Sequence, residues 1–297
     1  MKICILGALG YVGFELCKQY KNSEHEIIAI DSNFLSDKVA WLTQNGIKFY
    51  HRDIFKTRDL IKDADVIYNL VSITLVPQTL SQSSPEKDDE IYRVGTEGNR
   101  YILENISRNC SLIFPSSHVV WEGLTKPIEV NEDCNPCPFL AYGKSKYQSE
   151  IDIINSGNPY VIARLASVYG FNETCRWKIL PNLFSKMAAD NQNLTVFGGN
   201  NIKPLCGIND VSRILKMFIK MKYNKNTYNI VNECLTVKQI ADICKEINQI
   251  INIIETNDET PNNGYYVSNK KILDTGFKFK QNIKTEIDKM INIWRNK

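Results

Sequence analysis

Glycines at positions 7, 10 and 13, in the run Gly7-Ala-Leu-Gly10-Tyr11-Val12-Gly13, constrain this chain more than any other feature, because they follow a β-branched apolar run and open a helical pattern. A tight turn out of a strand suits Gly7. Close backbone approach by a ligand suits a missing side chain at Gly10, and close packing of helix on strand favours Gly13. The first N–H groups of that helix, at its positive end, then suit phosphate.

The rest of the first half repeats the same strand–helix alternation. Apolar runs at 2–6, 26–30 (with Asp31 at its carboxyl end), 48–50, 66–70, 111–115 and 160–165 read as strands, and 12–20, 91–107 and 142–155 carry apolar residues at helical spacing. Six strands alternating with helices predict an α/β fold, a Rossmann-type doubly wound parallel sheet. After about residue 170 the texture changes to short elements rich in Asn and Lys, which predicts a second, smaller C-terminal α/β lobe. The expected organisation is a dinucleotide-binding domain over 1–170 and a second lobe over 171–297, with about 205–232 able to return to the first and 228–231 adding a strand. Thr236 reads as the cap of a helix, and 283–294 as a closing amphipathic helix. With no repeat and no low-complexity linker, the lobes are expected to be packed together rather than tethered.

Composition narrows the partners. The chain has 297 residues, 43% hydrophobic and 23% charged, with 36 Lys+Arg against 33 Asp+Glu, which excludes a disordered or coiled-coil chain. A net charge of +3 without a basic tract argues against nucleic acid, and no apolar run approaches the roughly 20 residues of a membrane helix. The N-terminus enters a strand pattern without a cleavable leader, so a cytosolic protein is expected. Nine scattered cysteines read as reduced thiols. The one close pair, Cys134 and Cys137, lacks a second half-site, so no metal is expected and the pair reads as part of a proline-rich loop.

Two further patterns carry chemistry. Asp31 ends the second strand 18 residues beyond Gly13, where a carboxylate accepts hydrogen bonds from both adenosine ribose hydroxyls. It repels a 2'-phosphate, and Ser32 and Asn33 supply no Arg, which favours NAD over NADP. Tyr142 and Lys146 lie four residues apart on one helix face, where the ammonium lowers the pKa of the phenol and makes it a usable base. Ser116-Ser117 ends the 111–115 strand at the carboxyl edge of the sheet, where ligands bind in such folds, so Ser117 is positioned to donate to a substrate oxygen.

Taken together, these residues resemble the extended short-chain dehydrogenase/reductase superfamily, in its branch of NAD-dependent nucleotide-sugar epimerases and dehydratases. The resemblance covers nearly the whole chain: the glycine turn, Asp31, His51-Arg-Asp53-Ile54, Asn69-Leu70-Val71-Ser72, Phe114-Pro-Ser-Ser117, Tyr142 with Lys146, and Arg164-Leu-Ala-Ser167-Val-Tyr-Gly170. It implies catalytic Ser117, Tyr142 and Lys146. It implies a cofactor site of Gly7, Gly10, Tyr11, Val12, Gly13, Asp31, Asp53, Ile54, Leu70, Val71, Ser72, Tyr142 and Lys146. It also implies a nucleotide-diphosphate-sugar site at Thr74, Ser117, Ser167, Lys178, Phe197 and Lys203, with Ser72 and Pro77 nearby.

In this family's chemistry Tyr142 takes the proton of a sugar hydroxyl as hydride passes to NAD, leaving a 4-keto sugar that an epimerase turns over and a 4,6-dehydratase dehydrates. Dehydratases carry an Asp-Glu pair after the active-site hydroxyl, whereas here His118-Val119 follow Ser117, so 4-epimerisation is favoured, with a reductase or dehydratase as the alternative. The sequence departs from the pattern at Lys203 (usually Arg), Gly95 and Ser167 (usually Asn), and before Tyr265-Tyr266-Val267, where an Arg is absent. A non-catalytic NAD-binding regulatory protein is the second alternative. The 91–107 and 142–155 helices resemble those that pair in the superfamily's homodimers.

Overall fold

The computed structural model describes residues 1–73, 82–256 and 264–296. In chain order its elements are β1 (Lys2–Leu6), α1 (Tyr11–Gln19), β2 (Glu26–Asp31), α2 (Ser36–Gln44), β3 (Lys48–His51), α3 (Arg58–Ile61), β4 (Val66–Asn69), α4 (Pro85–Tyr92), α5 (Gly98–Asn105), β5 (Ser111–Ser117), β6 (Glu129–Val130), α6 (Ala141–Asn155), β7 (Tyr160–Leu165) and β8 (Ser167–Tyr169). They continue as α7 (Leu180–Ala189), β9 (Leu194–Val196), β10 (Ile202–Gly207), α8 (Ile208–Phe218), β11 (Asn226–Ile230), β12 (Glu233–Thr236), α9 (Val237–Ile247), β13 (Ile253–Glu255), β14 (Tyr266–Val267), α10 (Lys270–Leu273) and α11 (Ile283–Arg295).

Seven strands form the main sheet in the order β11-β7-β5-β4-β1-β2-β3. The β3-β2, β2-β1, β1-β4 and β4-β5 neighbours are parallel. Chain order reverses between β1 and β4, so the crevice beyond their carboxyl ends is the switch point at which ligands bind in doubly wound sheets. Burial explains the near-continuous apolar strands: Ile3, Cys4, Ile5 and Leu6 of β1 are all fully buried, as covering helices on both faces require.

The chain divides into two compact units. The first comprises 1–122, 136–164 and 212–228, and its core joins Cys4, Leu6, Ile28, Ile30, Ile67, Leu112, Phe114 and Ile162 to Ile102 and Ile153 of the helices. The second comprises 123–135, 165–211 and 229–297. It contains the β12-β10-β8 sheet, the β13-β9 and β14-β6 pairs, and a core in which α7, α9 and α11 contribute Phe184, Ile240, Ile287 and Met290. Thr236 caps α9 with a reciprocal pair of hydrogen bonds to Gln239.

The long helical region expected at 91–107 begins earlier, at Pro85, with Ser84 as its cap. The stretch 86–90 is too acidic to show an apolar stripe, but carboxylates in a first turn favour the helix dipole. A π turn over Arg93–Glu97 joins α4 to α5, where Gly95 lets Ser145 of α6 approach: a Cβ at Gly95 would lie 2.4 Å from the Ser145 hydroxyl.

Candidate active site

Gly7 has φ +78°, a left-handed conformation that glycine adopts without strain, and its N–H donates to the Ile30 carbonyl at 2.9 Å. A Cβ here would lie 2.9 Å from the Leu70 carbonyl carbon, and one at Gly13 would lie 2.0 Å from the Gly7 carbonyl oxygen. The turn therefore brings α1, β1 and the 70–72 segment to backbone contact distance. Gly10 occupies the cap position of α1 without a side chain to bond the first turn, and that turn holds no acidic residue. An uncapped, uncompensated positive helix end beside two side-chain-free positions is a cradle that fits a pyrophosphate.

Asp31, only 8% exposed, completes it. One carboxylate oxygen accepts from the Leu9 N–H at 2.8 Å, and the other accepts from the Asn33 N–H at 2.9 Å and the Asn33 amide at 3.3 Å. These bonds tie the end of β2 to the glycine turn, and the oxygen bonded to Leu9 retains acceptor capacity for a ribose hydroxyl. Tyr11 is buried and Val12 half-buried within α1. Asp53 is exposed and caps the next turn, accepting from Phe55 N–H at 2.9 Å, while Ile54 is buried beneath Gly98. The Leu70 N–H extends the sheet by donating to Leu6, the Val71 N–H donates to the Asn69 side chain at 3.3 Å, and Ser72 is half-buried. Thr74 and Pro77 lie outside the described residues.

β5 is buried along its length and ends in Ser117, whose hydroxyl accepts from the Val119 N–H at 3.3 Å and so starts a short 3-10 turn over His118–Trp121. On α6, Tyr142 lies in the first turn, half-buried, and Lys146 one turn on is 5% exposed. The Lys146 ammonium donates to the Pro115 carbonyl at 2.9 Å and lies 5.8 Å from the centre of the Tyr142 ring and 4.7 Å from that of Phe114. Burial pushes Lys146 down to about 8, opposed by the Glu150 carboxylate. An ammonium at this distance favours the ionised phenol. Thus β5, carrying Ser117, and the Tyr142 helix are joined through Pro115 and Lys146.

Sequence reasoning missed the support beneath this pair. Glu150, 1% exposed, accepts from the Ser116 hydroxyl and pairs with Arg164 through a 2.7 Å bond to one terminal guanidinium nitrogen and further bonds from Nε, while the guanidinium lies 4.7 Å over the Trp121 ring. Its only sequence signal is the i, i+4 spacing from Lys146, which ordinarily marks a solvated surface pair. Glu122 also accepts backbone N–H bonds at the start of α6 and carries no sequence signal at all.

The second unit holds the remaining candidates on separate elements. Ser167 is half-buried on β8, opposite Leu205. Lys178 is exposed, 5.3 Å from the Trp177 ring, and Phe197 follows β9 with 52% of its surface exposed. Lys203 on β10 is half-buried, pairs with no carboxylate among the described residues, and is pushed below the usual lysine range by desolvation. Cys134 engages Asn131, the Cys137 N–H donates to Val120, and no group of metal-ligating side chains forms among the described residues.

A model of the NAD dependent epimerase/dehydratase family matches residues 3–232. A UDP-glucose 4-epimerase of Lactobacillus helveticus is 22% identical over 254 residues, 76% of this chain and 74% of that protein. The crystal structure of a UDP-glucuronic acid 4-epimerase from Bacillus cereus, in complex with UDP-glucuronic acid and NAD, superposes with a TM-score of 0.83 at 22% identity, covering 100% of this chain and 99% of that one. A dTDP-glucose 4,6-dehydratase from Bacillus anthracis in complex with NAD gives 0.80 at 16% identity, covering 100% and 97%. At these identities the superpositions establish the fold.

Proposed function

Because this chain belongs to the NAD dependent epimerase/dehydratase family, we propose that it inverts C4 of a UDP-linked hexose through a transient 4-keto sugar, with Tyr142 as the proton-transfer group. The cofactor is NAD. The observation that carries the reading is the Lys146 ammonium held on the Pro115 carbonyl and 5.8 Å from the Tyr142 ring.

The glycine turn with Tyr11 and Val12 would hold the pyrophosphate, Asp31 the adenosine ribose, Asp53 and Ile54 the adenine, and Leu70, Val71, Ser72, Tyr142 and Lys146 the nicotinamide end. Bound there, NAD would supply a reversible hydride acceptor for the sugar. Tyr142, its ionised form favoured by the nearby Lys146 ammonium, takes the C4 hydroxyl proton and later gives it back. Ser117 donates to the same oxygen and orients it. Ser167, Lys178, Phe197 and Lys203, with Thr74, are assigned to the sugar nucleotide, two ammonium groups balancing its diphosphate and the exposed ring offering a face to the base.

The turn after Ser117 favours epimerisation over dehydration. His118 and Val119 supply no carboxylate, and the nearest one in that turn, Glu122, accepts two backbone N–H groups. No helix among the described residues is long and apolar enough to cross a membrane, in keeping with a cytosolic enzyme. We assign it as a homodimer through α4, α5 and α6.

Incubation of the purified protein with UDP-glucose and with UDP-glucuronic acid, each deuterated at C4, tests the reading by NMR. Epimerisation inverts C4, keeps the deuterium and leaves the reduced-nicotinamide absorbance without net change. Stoichiometric NADH consumption, or solvent hydrogen entering C5, excludes it.

A further inference from the structure

Helix α6 lacks a side-chain cap of its own: Leu140 stands at the cap position, and the first turn holds no acidic residue. The backbone that leads into it is held from another element instead. One oxygen of Glu122 accepts from the Leu140 N–H at 2.6 Å and from the Phe139 N–H at 3.2 Å. A carboxylate on the N-terminus of a helix interacts favourably with both the N–H groups and the dipole.

A second, independent feature concerns Gly143. A Cβ there would lie 2.7 Å from that same Glu122 oxygen and 2.9 Å from the Val119 carbonyl, so the turn carrying Tyr142 sits on the 118–122 backbone closer than any side chain would allow. The Cys137 N–H fastens the incoming strand of chain to the Val120 carbonyl at 2.8 Å, and Trp121 anchors the turn as a fully buried ring. Ser117 begins this 3-10 turn and Glu122 follows its last residue. One short, anchored piece of backbone therefore bears the candidate hydroxyl at one end and a grip on the phenol-bearing helix at the other.

We propose that Glu122 is a positioning residue: by gripping the Phe139 and Leu140 N–H groups that lead into α6 it fixes where Tyr142 stands relative to Ser117. The inference rests on the reading of Tyr142 as the proton carrier. Burial raises the Glu122 carboxyl above its usual range, against the pull of the two N–H donors and of Lys144, so its charged form costs stability that Glu122→Gln would relieve. Loss of this grip frees the residues that lead into the first turn, and a misplacement of about 1 Å in a reacting group can lower turnover on the order of 100-fold.

The test compares Glu122→Ala and Glu122→Gln with the parent, measuring hydrogen exchange at the Phe139 and Leu140 amides, melting temperature, NAD affinity, and kcat and KM with UDP-glucose. In Glu122→Ala, exchange at those amides rises and kcat falls on the order of 10- to 100-fold, while KM and NAD affinity are unchanged. Glu122→Gln, which keeps an acceptor oxygen and sheds the buried charge, recovers most of kcat and melts no lower than the parent. Unchanged kcat in Glu122→Ala overturns the proposal, as does a loss that appears in KM, in NAD affinity or in step with melting temperature. Tyr142→Phe, run alongside, separates the two ideas. If that variant turns over, the reading of Tyr142 falls; if it is inactive while Glu122→Ala is not, only the role of Glu122 falls.

Discussion

In the first unit the residues singled out by sequence are woven into the backbone: Gly7 and Gly13 sit where a Cβ would strike a carbonyl, Asp31 accepts from Leu9, and Lys146 donates to Pro115. In the second unit Lys178 and Phe197 are exposed, and Lys203 is half-buried with no carboxylate partner among the described residues. A cofactor site of the first kind is built before its ligand arrives. Candidates of the second kind gain their purpose only from a ligand, so one unit should respond to substitution through turnover and cofactor affinity, the other through KM.

Lys146→Met gives the largest effect after loss of the phenol itself. Turnover should fall about 10²- to 10⁴-fold, as expected when a proton-transfer device is disabled. Because the folded Lys146 lies near 8, below its ordinary 10.5, its stability cost is fully present below pH 8 and fades as pH rises toward 10.5. The variant should therefore melt a few degrees higher than the parent near pH 6, with the gap closing in alkali. Turnover of the parent should decline as pH rises through about 8, where the ammonium is lost. A Lys146→Met enzyme that keeps its turnover dissolves the contrast between the units.

Asp31→Ala comes next. It removes acceptors for the ribose hydroxyls and should weaken NAD binding on the order of 10- to 100-fold by calorimetry, while narrowing the preference for NAD over NADP. In the second unit, Phe197→Ala and Lys203→Met should each raise KM for the sugar nucleotide on the order of tenfold with kcat unchanged. Lys178→Ala, at an exposed site, should change KM by about twofold. If Phe197→Ala and Lys203→Met change kcat instead, the second unit is as preorganised as the first.

The same contrast explains what could be read before any coordinates. Glycines at a left-handed turn and at two close approaches are backbone requirements that admit almost no other letter, so β1, the turn, α1 and the sheet alternation were legible. Tyr142 and Lys146 were legible because helical geometry sets their spacing. Glu122 and Glu150 were not, since a carboxylate that accepts from a distant backbone N–H or pairs with Arg164 looks in sequence like any surface acid. α2 also escaped notice: of its apolar residues only Leu42 is buried, too little to make a stripe. The start of α4 was hidden for the opposite reason, being acidic and exposed yet well capped by Ser84.

The most direct measurement is turnover of UDP-glucose by Tyr142→Phe at neutral pH, with NAD affinity determined on the same preparation. With a single oxygen removed and the ring kept in place, turnover should drop about 10²- to 10⁴-fold while NAD binds as before. Parent-like turnover in that variant would contradict the account.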